Sequence, residues 1–425
     1  MRVPAEILEK ILLKCDGKTL LSARKSCGFV RSTIDYLTEK SKLWEWCCHE
    51  EIPSDELVEY LPKYDSYSKE KWLYIYVNWL SWEDYKKIII FDPVLCPIKF
   101  QKISCIAVSN NHIAIGSEDG RVRLFTKHWK PLYENRVVAL KLTKLTFLEY
   151  NDFDHHNYLD ICLVIAYPRG LSIISFYGVE SSQFDILDIK SHSIHRNYIC
   201  IEKVGGRMTI IKLINENGKR EVKELWFTRI YSPQSITCYK MWNGMCTFLI
   251  NDSIKVLNYD KPDLTPMEVM QKKTSIKFYA PLMIDSSNTH ILRDNIIIST
   301  YKNNFSDKSS NAPDFIEDYI EINIIGRHNK SSKKLFNIWE IFKCNITCIY
   351  LYGNTLLLGS GCGDLYFYHV SNWRNLDLRY YNHRQIVGKH PIIEITVKEC
   401  KKERKFYVCS KFTIHEISGI LPNVL

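Results

Sequence analysis

No uninterrupted run of about 18 apolar residues occurs in the 425-residue chain, so no membrane-spanning helix is expected. The opening stretch MRVPAEILEKILLKCDG has acidic residues inside its apolar run and no small-residue cleavage site, so it does not read as a secretory signal. Gly-x-Ser-x-Gly, Walker and dinucleotide-binding patterns are missing, and no catalysis is expected of the chain. Cysteine pairs at zinc spacing are missing as well. The 15 cysteines are scattered, and Cys47-Cys48-His49 and Cys344 with Cys348 come nearest to a metal cluster. Neither has the second pair that a structural zinc site needs. His155-His156 beside Asp152 and Asp154 reads as a polar loop, so neither metal nor cofactor is expected. Most cysteines (Cys105, Cys162, Cys238, Cys348) lie within apolar, strand-like runs, where a thiol acts as a small hydrophobe. A reducing compartment, cytoplasmic or nuclear, is expected.

What is present is a folded chain: 46% of residues are apolar and 25% charged, far from the composition of a disordered protein. Charge is unevenly spread. Residues 1–86 carry 13 Lys+Arg against 15 Asp+Glu, whereas residues 87–425 carry 44 against 33. A mildly acidic front therefore precedes a basic body. The expected division is a helical domain over 1–50, a helical linker over 51–86 and a β-rich body over 87–425, with an overall α+β multidomain class.

The body repeats itself. ISCIAVSNNHIAIGSEDGRVRLF (103–125) and ITCIYLYGNTLLLGSGCGDLYFY (346–368) align without a gap. Each reads as strand, strand, tight turn, strand, with Gly120 free to take a positive φ in the turn. ITCYKMWNGMCTFLINDSIKVLN (236–258) keeps the Ile-Thr-Cys opening, and weaker copies follow at 159–176, 195–213 and 391–417. Unit starts near 103, 138, 195, 236, 280, 346 and 391 predict seven antiparallel units, the spacing of a seven-bladed propeller. KKIIIFD (86–92) is a lone β-run placed to supply the outer strand of the last unit. The polar segment 301–314 reads as a long loop, and the charge runs 329–334 and 401–405 as solvated turns.

In the front, VPAEILEKILLKC sets Ile7, Leu8, Ile11 and Leu12 on an apolar helical face, with Pro4 in the first turn, where its missing N–H costs nothing. A turn at Asp16-Gly17 leads into a second amphipathic stretch, and SKLWEWCC supplies a third. SDELVEYL and SKEKWLYIYVNWLSWEDY predict two further helices; Trp72, Tyr76 and Trp79 fall on one stripe of the second and are read as packing residues.

Two resemblances follow from these residues. GSEDGRVRLF looks like half of a WD40 repeat, although Phe125-Thr126 and Tyr368-His369 stand where the family has Trp-Asp. The front resembles the F-box at Pro4, Glu6, Ile7, Leu8, Ile11, Leu12, Leu20, Leu21, Cys27, Arg31, Leu43 and Trp44, departing from it at Val3, Gly28 and Val30. Asn78-Trp79 is similar to a pair that F-box proteins often carry after the box. Together the resemblances imply a non-catalytic substrate receptor of an SCF-type (Skp1–cullin–F-box) ubiquitin ligase. They imply contact with Skp1, and through it a cullin, by Val3, Pro4, Ile7, Leu8, Ile11, Leu12, Leu20, Leu21, Leu43 and Trp44.

The propeller rim would hold the target. The turn and strand-entry positions Lys102, Glu118, Arg121, Arg169, Arg196, Arg207 and Lys343, with Asp252, Cys362 and Asp364 in further turns, are the candidate contacts. Their positive balance would favour an acidic or phosphorylated segment. A scaffold without ubiquitin transfer remains open. So does a nucleic-acid-binding propeller, although no clustered basic stripe with interleaved aromatics supports it.

Overall fold

The computed structural model describes residues 4–53, 56–57, 60, 70–81, 88–90, 94–95, 102–109, 111–148, 161–177, 180–195, 197–205, 207–216, 219–229, 236–242, 245–250, 253–258, 276–277, 288–293, 296–304, 316–324, 332–399 and 403–420. No helix among them is long and apolar enough to cross a membrane.

The front is helical. α1 (Ala5–Leu12) starts from the Pro4 carbonyl, which accepts from the N–H groups of Ile7 and Leu8 at 3.1 Å. α2 (Gly17–Arg24) is capped by Asp16, whose Oδ1 accepts from Thr19 N at 2.7 Å; that bond holds the Asp16 carboxyl below its usual range. α3 (Gly28–Lys40) and α4 (Leu43–Glu51) follow, and α5 (Lys71–Ser81) lies against α4. Glu51 knits three of these together. Its Oε1 accepts from Gly17 N at 2.7 Å and its Oε2 from the Tyr76 hydroxyl at 2.5 Å. Trp44 is enclosed, with its ring 5.6 Å from that of Tyr76 and Nε1 donating to Thr38 Oγ1 at 2.9 Å.

The apolar face expected to stand open on this unit divides in two. Leu12 and Leu20 are 3% and 0% exposed and belong to the core, whereas Ile7 and Ile11 are each 51% exposed. Leu21, Leu43 and Trp44, also expected to be contact residues, are core as well, and Leu8 packs against that core. α1 carries two apolar stripes, and α3 consumes the one through Leu8 and Leu12. Pro4 is exposed, and Val3 lies outside the described residues.

The body is mostly β. Among the described residues its strands form one five-stranded and six four-stranded antiparallel sheets. Each four-stranded sheet is a meander whose first strand opens it: Ile103–Val108, Lys144–Leu148, Ile189–His195, Ile236–Trp242, Asn288–Arg293 and Ile346–Tyr352 for the first to sixth sheets. Neighbouring sheets pack through these first strands, save the second and third, where Ile189–His195 packs against Gly170–Tyr177, and Ile392–Glu399, which opens the seventh, packs against Ile103–Val108. The sheets thus close on themselves as a ring, the architecture of a β-propeller. The seventh sheet takes its outer strands from elsewhere in the chain. Both Ile88–Ile90 and Val94–Leu95 pair with Thr413–Ile420, in the registers Ile88↔Gly419 and Val94↔Ile414.

A shared irregularity marks the units. In six sheets the register between the first two strands slips at the start, at Ile103/Cys105, Ile189/Ser191, Ile236/Cys238, Thr289/Ile291, Ile346/Cys348 and Ile392/Glu394. A bulge at the mouth of the inner strand sharpens its twist where the ring must curve. The aligned segments of the first and sixth sheets also share a turn. Ser117 Oγ accepts from Arg121 N at 3.1 Å, as Ser360 Oγ accepts from Asp364 N at 2.9 Å. Gly120 has φ +81° and receives the N–H of Val137 at 3.0 Å, and a Cβ there would collide with the Val138 carbonyl. The link to the next sheet therefore lies directly over the turn.

Several boundaries differ from those read in the sequence. The second, third and fifth sheets begin at Lys144, Ile189 and Asn288 rather than near 138, 195 and 280. Of the two charge runs, 329–331 and 401–402 lie outside the described residues, and the rest is strand. Ser332–Asn337 is a strand in which Lys333 pairs with Glu321 at 2.9 Å and Lys334 donates to the Leu376 carbonyl at 2.6 Å. Arg404 and Lys405 lie in the strand Glu403–Ser410, where Lys405 pairs with Glu416 at 2.5 Å and Arg404 is 1% exposed. Of the polar segment 301–314, residues 301–304 complete the strand Ile296–Asn304 and the rest lies outside the described residues, as does the loop 151–160 with its histidines.

Candidate partner-binding surfaces

Because strands alternate in direction, the turns between second and third strands and the links between sheets emerge at one end of the ring, here the link end. Turns between first and second strands emerge at the other. The helical front is fixed at that other end. Tyr60 stacks edge-on against Tyr352 at 5.5 Å, beside the first turn of the sixth sheet, and Gly353 in that turn (φ +54°) has no room for a Cβ because Tyr60 Oη fills it. The Arg404 guanidinium lies over both rings, 5.1 Å from the Tyr60 centroid and 4.9 Å from that of Tyr352. One apolar cluster continues from Leu12, Leu20 and Trp44 through Tyr76 to Phe367, Phe406 and Ile417 of the sixth and seventh sheets. The front and the ring therefore share a core, and the link end faces away from it.

Among the described residues, apolar side chains stand exposed on the front and at the link end. On the front, Ile7 and Ile11 form an i, i+4 stripe on α1, and Phe29 and Tyr36 an i, i+7 stripe on α3, the helix that α1 packs against. At the link end, Leu140, Leu187, Val204, Trp339, Ile386 and Phe412 are all exposed, Ile386 at 67%. Trp339 sits on the single turn α6 (Ile338–Phe342), capped by Asn337 Oδ1 accepting from Glu340 N at 3.0 Å. Sequence reading missed these link-end residues. Leu187 and Ile386 end strands, Trp339 lies on a single helical turn, and Leu140, Val204 and Phe412 lie in turns and links, so no one periodic pattern joins them.

The predicted rim residues meet mixed fates. Glu118 lies between Lys102 and Lys411, 3.8 Å from each Nζ, which joins the first and seventh sheets at the link end. Arg121 is committed to Asp119 at 3.2 Å and Glu134 at 3.3 Å, and Arg207 to both carboxylate oxygens of Glu224 at 3.0 and 3.1 Å. Asp364 is likewise paired with Arg384 at 2.9 Å. The Arg121 and Arg207 guanidiniums thus bind carboxylates of their own sheets. Arg169 (φ +65°) and Lys343 (φ +55°) occupy left-handed turn positions at the link end, and both are exposed. Arg196 and Asp252 lie outside the described residues. Among the described residues no cluster of His, Cys, Asp and Glu is placed to hold a metal ion.

Side chains stitch neighbouring inner strands. Ser193 Oγ accepts from Met241 N at 2.9 Å, Thr347 Oγ1 donates to the Ile392 carbonyl at 2.7 Å, and Glu394 Oε2 accepts from Ile106 N at 2.7 Å. The last of these spans the seam between the seventh and first sheets. Burial pushes the Glu394 carboxyl up from 4.5 to about 7, against the pull of the Ile106 N–H and Lys144. The native state therefore retains a proton that the unfolded chain has already released across that window, so this group's contribution is full below 4.5 and is lost as pH rises toward 7. Glu394→Gln, which keeps an acceptor for Ile106, is expected to flatten the slope and to gain about 2 kcal/mol above about pH 8. Urea midpoints measured across that range check it; parallel curves for the two proteins would contradict it.

No family model matches the sequence, and no curated protein matches it. Solved structures are similar to it at TM-scores below 0.5. The WD40 domain of Neurospora crassa Pan2 is 13% identical, with a TM-score of 0.48 over 80% of this chain and 97% of that one. Saccharomyces cerevisiae Sqt1 is 9% identical, with a TM-score of 0.46 over 79% and 98%. A computationally designed protein, Ika8, is 11% identical, with a TM-score of 0.42 over 76% and 98%.

Proposed function

We propose that this chain is a substrate receptor of an SCF-type ubiquitin ligase. In this reading the front is an F-box domain over 1–50, joined by the linker 51–86 to a WD40-like propeller over 87–425, whose seven sheets are seven blades. The front docks on Skp1 and so on a cullin, and the link end captures a target protein in the cytoplasm or nucleus. The chain itself performs no chemistry. One observation carries the proposal: the helical unit leaves an apolar stripe open at Ile7 and Ile11 after burying its other stripe, and it is welded to the end of the ring opposite the exposed link end. An apolar helical face in this position calls for a partner. For the target, Trp339, Ile386 and Val204 offer apolar anchors, with Arg169 and Lys343 beside them for an acidic segment.

The docking test avoids the core. Ile7→Asp with Ile11→Asp is expected to abolish copurification with Skp1 while changing stability by no more than about 0.5 kcal/mol, because both positions are exposed. Undiminished copurification would refute the docking face. Reconstitution with Skp1, cullin and the charging enzymes then separates the ligase from a scaffold, since a scaffold holds its partner without building ubiquitin on it.

A further inference from the structure

We propose that Cys344 and Cys362 are a redox pair that forms a reversible disulfide at the link end of the sixth sheet. Ile346 is in register with Ser360, and Gly361 N donates to the Asn345 carbonyl at 2.8 Å. The strand ends at Ser360, and Gly363 N donates to the Ser360 carbonyl at 3.2 Å, so Gly361 and Cys362 are the central residues of a tight turn. The bond between Asn345 and Gly361 joins the chain neighbours of the two cysteines and so holds Cys344 and Cys362 near one another; a disulfide spans Cα atoms roughly 4.4 to 6.8 Å apart. After burial, Ser360 and Cys362 are the groups that act on the ionisation of the Cys344 thiol.

The two thiols differ in a useful way. Cys362 is exposed, on a turn that a dissolved oxidant can reach, whereas Cys344 is buried beneath it and its thiol is pushed up by that burial. Hydrogen peroxide is the oxidant. The Cys362 thiolate attacks one peroxide oxygen, the O–O bond breaks, and the departing hydroxide takes a proton to become water, leaving a sulfenic acid. The Cys344 sulfur gives up its proton and attacks the sulfenic sulfur. The S–O bond breaks, a second water leaves and the S–S bond forms. Two thiols lose two electrons and one peroxide gains them. A small dithiol reverses the step by thiol–disulfide exchange.

The bond would tie the link carrying Trp339 and Lys343 to the turn Gly361–Gly363. Its effect on target capture rests on the proposed role of the link end, whereas its formation does not. The full chain, treated with peroxide, alkylated and digested without reductant, is expected to yield one peptide joining Cys344 to Cys362, lost on dithiothreitol treatment. Cys344→Ser is expected to lose that peptide and to leave Cys362 as a sulfenic acid labelled by dimedone. Both thiols remaining open to alkylation would overturn the proposal. So would Cys362 pairing with another cysteine, or passing to sulfinic acid unlinked. None of these readouts involves Skp1 or a target, so failure of the ligase reading leaves them unaffected.

Discussion

Arg404→Ala is expected to lower unfolding stability by about 4 kcal/mol and to loosen the helical front from the ring. The guanidinium is 1% exposed and lies over two tyrosine rings, Tyr60 from the linker and Tyr352 from the sixth sheet. Desolvated cation–π contacts are worth up to about 2 kcal/mol each, and truncation also leaves a cavity between the rings. Arg404→Lys keeps the charge without the planar face and is expected to recover about half of the loss. Urea unfolding measures the cost, and limited proteolysis between residues 53 and 70 reads the loosening. An alanine variant within about 1 kcal/mol of the parent would show that the stacked guanidinium holds nothing together.

Trp44→Ala is expected to cost about 4 kcal/mol as well, for a different reason. Its side chain is 2% exposed, packs on Tyr76 and donates to Thr38 Oγ1, so removal leaves a cavity in the middle of the front and takes a donor from the Thr38 hydroxyl, which keeps its own bond to the Ile34 carbonyl at 2.8 Å. The front should then lose protease resistance. Under the proposed function, capture by Skp1 should fail along with it, from unfolding and not from a lost contact. The exposed pair Ile7 and Ile11 supplies the contrast: capture lost, stability kept. A Trp44→Ala protein that melts like the parent would show that the front draws its stability from elsewhere.

The mostly-β body behind a small helical front was legible because period-two alternation and a repeated turn are local signals. Ile103, Ile236 and Ile346 are where first strands begin, each followed two residues later by cysteine. The third sheet was misplaced because its first strand, IKSHSIH, carries Lys190, His192 and His195, and an inner strand bordering a channel need not be apolar on both faces. The front posed a different problem. Helical periodicity places Ile7 and Ile11 on one stripe of α1 and Leu8 and Leu12 on the next, and does not say which one the rest of the chain will cover. Arg404 was hidden for a third reason. In KKERK it reads as one more solvated charge, and the rings that enclose it come from distant parts of the sequence.

The pairing of Ile88–Ile90 with Thr413–Ile420 has a consequence for how the molecule is made. During synthesis the helical module and its adjoining strand emerge before the segment that latches onto that strand, with the whole ring translated in between. Between those moments the toroid stands unlatched, with the edge of Ile88–Ile90 awaiting its mate across the longest separation of any strand pair among the described residues, so the final clasp should be slow compared with local hairpin formation.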